Sequence, residues 1–571
     1  MIDVSALTIK YTGRKRPILR DLSLQVPQGQ TLLILGASGS GKSSLALTFN
    51  GLIPHSIGEV LAGQVHVAGA DTQQTSVAQL AQRVGILFQD PDAQFATLTV
   101  EDEIVFGLEN LCLDPAQMEA RLETALSQVG MLHTRHRPVY ALSGGEKQRI
   151  ALAALLAMQP EVLVFDEPTA NLDSVGTQQV FALLAQLKAR GQHTLILIEH
   201  KLDELMHLVD RVLVLDSEGQ IFADGAPREI FDRYAAELQE MGVWTPQVCM
   251  LAHELRLAGH VLPSFPVTIG EAVKVLAPLL AAHPALSASS APPAGASPRS
   301  SVYSIRDLSF HYGDIPALHN VSMEISQGDF LAIVGPNGAG KSTLARHLIG
   351  LLDPPVGKVF LNGRDIHALD ARRLAEQVAY VFQNPEHQFV TERVEDEVAY
   401  GLRVAGLDET LVAEQSRQLL DTFGLARYAR ANPFTLSHGE KRRLSVAAML
   451  AVGQQTLILD EPTFGQDERN AAALMALLRA LNAQGKTIIM ITHDMRLVAE
   501  AADKVAVILE GRLEFFGQPA ALFAQEDLLA RAHLNLPPLA RLAALMATQY
   551  PHMQGWSTLQ DYQTLTQMVR V

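Results

Sequence analysis

Two octapeptides in this chain, GASGSGKS at 36–43 and GPNGAGKS at 335–342, share the spacing G-x-x-x-x-G-K-[ST]. Each follows an apolar run and opens a helical pattern. Glycines at those positions let backbone N–H groups approach phosphate oxygens, and a helix start adds partial positive charge. Lys42 and Lys341 would reach the β- and γ-phosphates of a nucleotide, and Ser43 and Ser342 would ligate Mg²⁺. Gly36, Ser38, Gly39 and Gly41 build the first cradle and Gly335, Asn337, Gly338 and Gly340 the second, with Ser44 and Thr343 next in line. A tight glycine turn before a helix would account for one such match more easily than for two complete ones.

Further along each half, the runs VLVFDE and TLILDE end an apolar strand pattern in two acids. Asp166 and Asp460 suit a magnesium shell, and Glu167 and Glu461 suit a general base that polarises an attacking water. His200 and His493 each follow another buried strand pattern, LILIEH and IIMITH. Each could contact the γ-phosphate and hold the water, although a lone histidine at a strand end is often only structural. Gln89 and Gln383 close the runs LFQ and VFQ and offer an amide acceptor to Mg²⁺ or water. A polar strand end is the plainer reading. Tyr11 and Tyr312 could stack on adenine, and a core or interface tyrosine fits equally.

These residues need elements that bring them together, and the elements occur twice. ILFQDPDAQFATLTVEDEIVFGL (86–108) aligns with YVFQNPEHQFVTERVEDEVAYGL (380–402). The same offset, 294, separates Gln89 from Gln383, Ser143 from Ser437 and Asp166 from Asp460. Such a period is far longer than any solenoid repeat and means a duplicated domain. Within each half, β-rich apolar runs such as TLLILG (31–36), VLVFD (162–166) and TLILIEH (194–200) alternate with helical patterns. That alternation predicts α/β domains with mainly parallel sheets. The stretch PALSASSAPPAGASPRSS (284–301) is built from Pro, Ala, Ser and Gly with one charge, Arg299, and reads as a tether. Helical tails follow each core, at 225–283 and again from 518.

Composition bounds the rest. The chain has 571 residues, enough for two to four domains, and 48% are hydrophobic, enough for sizeable cores. Two cysteines, Cys112 and Cys249, rule out a disulfide framework and a four-thiolate zinc site, and fit a reducing compartment. The start MIDVSALTIK has no signal-peptide pattern. No run approaches the roughly eighteen uninterrupted apolar residues of a membrane span. The net charge of −16 disfavours nucleic acid as the main partner.

Phosphate loop, glutamine loop, LSGGE (142–146) or LSHGE (436–440), DEPT and histidine follow one another in that order, twice. This series resembles the nucleotide-binding subunits of ATP-binding-cassette (ABC) proteins, over nearly the whole chain outside the tether and tails. The resemblance implies ATP and Mg²⁺ as cofactors, ATP hydrolysis, and an α/β fold of two tandem P-loop ABC-type nucleotide-binding domains. Each would hold a mainly parallel sheet core, an antiparallel β part, a helical signature subdomain and a C-terminal helical appendix. The implied segments are 1–224 and 302–517 for the two ATPase domains, 225–283 and 518–571 for the appendices, and 284–301 for the linker. In that family two cassettes meet head to tail, and each ATP lies between one phosphate loop and the other cassette's signature. Carried over, Gly36–Ser43, Glu167 and His200 pair with Ser437 to Glu440, including Gly439. Gly335–Ser342, Glu461 and His493 pair with Ser143 to Glu146, including Gly145. His438 replaces one signature glycine. With every other catalytic position intact, the second half reads as working, and a neutral substitution at 438 is compatible with that.

FQDPDAQF and FQNPEHQF, each followed by VEDE, are similar to ATPases of the energy-coupling-factor (ECF) type of vitamin importer. PTFGQD and LSHGEKRRLS are similar to fused ATPases linked to thiamine-precursor uptake. That likeness implies separate transmembrane partners, a coupling protein and a substrate-binding membrane protein, and a peripheral place on the cytoplasmic face of the membrane. A twin-cassette translation factor acting on ribosomes is the alternative from another class, but those proteins use a basic, highly charged arm. A DNA-repair cassette would need zinc-binding cysteine clusters. The fused ATPase of a sugar importer is a third alternative. Two acidic triplets, Glu101-Asp102-Glu103 and Glu395-Asp396-Glu397, follow the glutamine loops. They could cap helices, with Thr99 and Asp102 as a capping pair, or together line a groove for a cationic helix of a membrane partner.

Overall fold

A computed structural model describes residues 1–12, 16–170, 172–281 and 300–567. Two compact units are present, one made mainly of the first half of the chain and one mainly of the second. Among the described residues, each unit contains one four-stranded and one six-stranded sheet.

In the first unit the larger sheet runs, in spatial order, Ile221–Gly225, Arg211–Leu215, Thr31–Gly36, Thr194–Ile198, Val162–Asp166 and Val84–Leu87. All neighbours are parallel except the edge strand Ile221–Gly225. The expected strand 31–36 is buried at every residue, which is why it reads as a continuous apolar run rather than an alternating one. The second unit repeats the arrangement with Val378–Val381, Thr456–Asp460, Thr487–Ile491, Phe330–Val334, Lys504–Leu509 and Arg512–Gly517. The smaller sheets are antiparallel, with Ile2–Lys10 between Leu19–Val26 and Glu59–Val67, and Ser301–Tyr312 between Ile315–Ser326 and Val359–Leu361.

The strand after each glycine-rich loop's own strand sets where chemistry can sit. Val162–Asp166 lies in register with Thr194–Ile198, so Asp166 is opposite Ile198. Thr456–Asp460 lies likewise against Thr487–Ile491, with Asp460 opposite Ile491. The acids and histidines therefore gather at the carboxyl ends of the strands, where open α/β sheets bind ligands. Behind them, Leu32, Ile34, Leu45, Phe49 and Val164 form part of the first core, and Leu331, Ile333, Leu344, Leu348 and Ile458 part of the second. Signature helices run Gly144–Met158 and His438–Leu450, flanked by Val100–Asn110 and Pro115–Gln128, and by Val394–Val404 and Glu409–Thr422.

After Gly225 come the helices Pro227–Arg233, Ala235–Met241, Gln247–Leu257 and Ile269–Ala281. After Gly517 come Pro519–Phe523, Glu526–Arg531, Pro538–Ala547 and Leu559–Gln567. The expected tether at 284–301 lies outside the described residues up to 299, and Ser301 already opens a strand.

Candidate functional site

The helices that open each phosphate loop are Lys42–Phe49 and Lys341–Leu348. Their N-cap residues, Gly41 and Gly340, have φ of 97° and 101°, a left-handed backbone that L side chains rarely adopt. The loop folds back on its own lysine. Lys42 Nζ donates to Gly36 O at 2.8 Å and Ala37 O at 3.0 Å, and Lys341 Nζ to Gly335 O and Pro336 O, each at 2.8 Å. Burial lowers the affinity of the Lys42 ammonium for its proton, while Glu167 and Asp166 oppose that. Tyr11 OH lies 2.9 Å from Ser44 Oγ, at the foot of the first loop. Tyr312 is part exposed and meets Phe310 edge to face.

The loop serines reach the strand-end aspartates. Ser342 Oγ donates to Asp460 Oδ2 at 3.0 Å, and Ser43 hydrogen-bonds Asp166. Burial raises both aspartates above the usual carboxylate range. A hydroxyl and a carboxylate held together in this way are hard oxygen donors. They fit a cation such as Mg²⁺, which takes one or two protein ligands beside the phosphates. Among the described residues no group of three His, Cys, Asp or Glu side chains is placed to hold a metal alone. In the second unit Tyr380 OH also donates to Asp460 Oδ2, at 3.1 Å. The sequence carries no signal for that tyrosine, which reads as one more aromatic in a buried strand.

The two glutamates sit directly after their aspartates in a left-handed backbone, φ 50° at Glu167 and 45° at Glu461. A strained residue of this kind persists only where its surroundings hold it. Here the holding bonds are Glu167 N–H to Ile198 O at 2.8 Å and Glu461 N–H to Ile491 O at 2.9 Å. The first carboxylate accepts from Gln89 Nε2 at 2.6 Å and contacts His200 Nε2 at 2.8 Å. The second contacts His493 Nδ1 at 2.9 Å. Base, histidine and, in the first unit, the glutamine loop thus converge as the motif order suggested. Trp244, which the sequence did not single out, lies 6.2 Å from the His200 ring, centroid to centroid.

The signature pentapeptides have a local reason for their last letter. Ser143 and Ser437 are N-caps, and each forms a capping box with the glutamate three residues on. Glu146 Oε2 accepts from Ser143 N–H at 2.8 Å and Glu440 Oε2 from Ser437 N–H at 2.9 Å. The capping leaves a helix start with further N–H groups and a dipole that attract an anion.

Each acidic triplet is divided between a buried glutamate and residues nearer the surface. Consecutive residues on a helix point about 100° apart, so the three acids of a triplet face different ways. Glu103 and Glu397 are buried and turn back onto their own loops. Glu103 accepts from Ala96 N, Thr97 N and Thr97 Oγ1, and Glu397 from Val390 N, Thr391 N and Thr391 Oγ1. Glu101 pairs with Arg135 at 2.6 Å and Asp396 with Arg403 at 3.3 Å. Thr99 caps its helix by accepting from Asp102 N–H, as the capping expectation has it. Glu397→Ala would strand two backbone donors and a hydroxyl, a destabilisation of roughly 2–3 kcal/mol. The thermal midpoint of the second unit should drop by several degrees, whereas Asp396→Ala, on the surface, should hardly move it. Comparable shifts in the two variants would refute the role of Glu397 as a clasp on its own loop.

Among the described residues, no helix is long and apolar enough to cross a membrane. The sequence pattern of the family described as ABC transporter matches residues 19–170 and 318–464. "Putative HMP/thiamine import ATP-binding protein YkoD" of Bacillus subtilis is 39% identical over 545 residues, covering 94% of this chain and 95% of that protein. A "Putative ABC transporter ATP-binding protein" of Methanosarcina acetivorans is 39% identical over 552 residues, covering 95% of this chain and 90% of that protein. Among solved structures, cbiO1 from Clostridium perfringens, part of the ABC transporter complex cbiONQ, aligns at 32% identity. It covers 43% of this chain and 99% of that one, with a TM-score of 0.38. Two matched cassettes, each with a loop serine bonded to its strand-end aspartate and a glutamate next in the chain, place this chain in the ABC transporter family as a protein that binds and hydrolyses ATP.

Proposed function

We propose that this chain is the energy-coupling ATPase of an ECF-type importer, driving uptake of a vitamin or vitamin precursor through separate membrane subunits. The observation that carries the reading is likeness across both halves, 39% over 94% of the chain, to a protein named for HMP/thiamine import. The complete catalytic set in each half supports it. On this reading the protein works at the cytoplasmic face of the membrane as a peripheral subunit.

On this reading each ATP would be held by a phosphate loop and met by a signature helix start. Lys42 or Lys341 holds the β- and γ-phosphates. The Ser43–Asp166 and Ser342–Asp460 pairs, with Gln89 and Gln383, would hold Mg²⁺, which when bound would supply positive charge beside the phosphates. Glu167 or Glu461 takes a proton from the attacking water, and His200 or His493 keeps the glutamate and water in line. The signature helix start, capped by Ser143 or Ser437, supplies N–H groups to the γ-phosphate.

Affinity purification of the tagged chain from solubilised membranes should bring down two integral membrane proteins in constant ratio. Depleting either should abolish uptake of a labelled pyrimidine or thiamine precursor by the host cells. Sedimentation with ribosomes, and no membrane partner, would instead favour the translation-factor reading. Capture of membrane subunits whose loss impairs sugar uptake alone would favour the sugar importer.

A further inference from the structure

Arg442 is the largest fully buried side chain, on the signature helix four residues after His438. Its guanidinium ends on three backbone carbonyls of its own unit. Nη1 donates to Phe382 O, and Nη2 donates to Gln383 O at 2.6 Å and Glu461 O at 3.0 Å. One side chain therefore joins the signature helix, the glutamine loop and the peptide that follows the glutamate. A guanidinium keeps its charge at neutral pH even when buried. Hydrogen bonds from a charged donor are among the stronger ones, and here they fix a residue whose φ of 45° needs holding.

The first unit has the same reacting groups without this brace. At the matching offset stands Gln148, 1% exposed, whose amide oxygen and nitrogen have no hydrogen-bond partner among the described residues. A glutamine is too short to span the same carbonyls. In that unit the glutamine loop reaches the glutamate through its side chain instead, Gln89 Nε2 to Glu167 Oε2.

We propose that Arg442 is a positioning residue for Glu461 and Gln383, so that the base and glutamine loop of the second cassette are set by its signature helix through a brace that Gln148, at the matching place, does not form among the described residues. The two hydrolytic centres are then built alike but held differently. This deepens the assignment of Glu461 as general base and rests on it.

A double-mutant cycle on the full chain tests it. Arg442→Gln, which installs the first half's own residue, should lower kcat for ATP about tenfold and leave KM within about twofold. Arg442→Met, which keeps length without donors, should match it, and Arg442→Lys should recover part of the rate. Read as single-turnover hydrolysis, which the slower site does not limit, the loss should persist in a Glu167→Gln background and vanish in a Glu461→Gln background. Wild-type kcat in the Gln and Met variants would overturn the proposal. So would an equal loss in both backgrounds, or a loss that merely follows a lowered melting temperature. Failure of the base assignment is read separately, as unchanged turnover in Glu461→Gln alone.

Discussion

Glu167→Gln and Glu461→Gln should each cut steady-state ATP turnover by about a hundredfold or more while ATP still binds. General-base catalysis is worth roughly 10²–10⁴ in rate, and an amide cannot take the water's proton. Binding should survive because the replacement is isosteric and the phosphate contacts lie elsewhere, on Lys42, Lys341 and the loops that hold them. The strained backbone should survive too, since its anchor is a main-chain bond, Glu167 N–H to Ile198 O or Glu461 N–H to Ile491 O. What changes is the carboxylate's grip on its neighbours. At Glu167 the contacts to Gln89 and His200 are redrawn, and at Glu461 the contact to His493. Nucleotide binding by equilibrium dialysis, alongside phosphate release from the assembled complex, separates the two effects. Full turnover in either variant would mean that one half is not a hydrolytic site, and the two-site reading would fail.

Much of this site could be read from the chain because its parts are short and local. A phosphate loop needs a handful of consecutive residues, and a strand ending in two acids announces itself wherever the sheet is buried. What stayed hidden depends on partners far apart in sequence. Arg442 reads as one basic residue in KRRLS until the fold sets it against Phe382, Gln383 and Glu461. Tyr380 and Trp244 are similar cases. The capping boxes at Ser143 and Ser437 follow from the S-x-x-E spacing alone. Each acidic triplet divides between two tasks, since adjacency along a helix is not adjacency on its face. Glu397 is buried as a loop clasp, whereas Asp396 and Glu395 meet arginines near the surface.

Gly439→Asp should nearly abolish turnover, by about a hundredfold or more, whereas His438→Gly should change it by less than about threefold, an asymmetry that follows from where the two positions point. A Cβ at Gly439 would lie 2.6 Å from Asn470 Cγ, on the helix Glu468–Ala483, and Asn470 is itself engaged by Arg443 Nη1 at 3.4 Å. An aspartate there would gain about 0.3–1 kcal/mol from the helix dipole. That gain is the harm, because the new carboxylate takes the same N–H groups and positive end that the signature offers to phosphate. His438 has another fate. Its Nε2 lies 3.1 Å from Phe464 O, and its ring packs by Gly465, so the imidazole is engaged by a loop of its own unit. Removing it costs one exposed hydrogen bond, about 1 kcal/mol at most. The substitution of histidine for glycine in LSHGE thus leaves the helix start open. Circular dichroism must show both variants folded before rates are compared. Equal and severe losses in the two would make His438 a required phosphate ligand, and near-normal turnover in Gly439→Asp would mean that this helix start does not face phosphate at all.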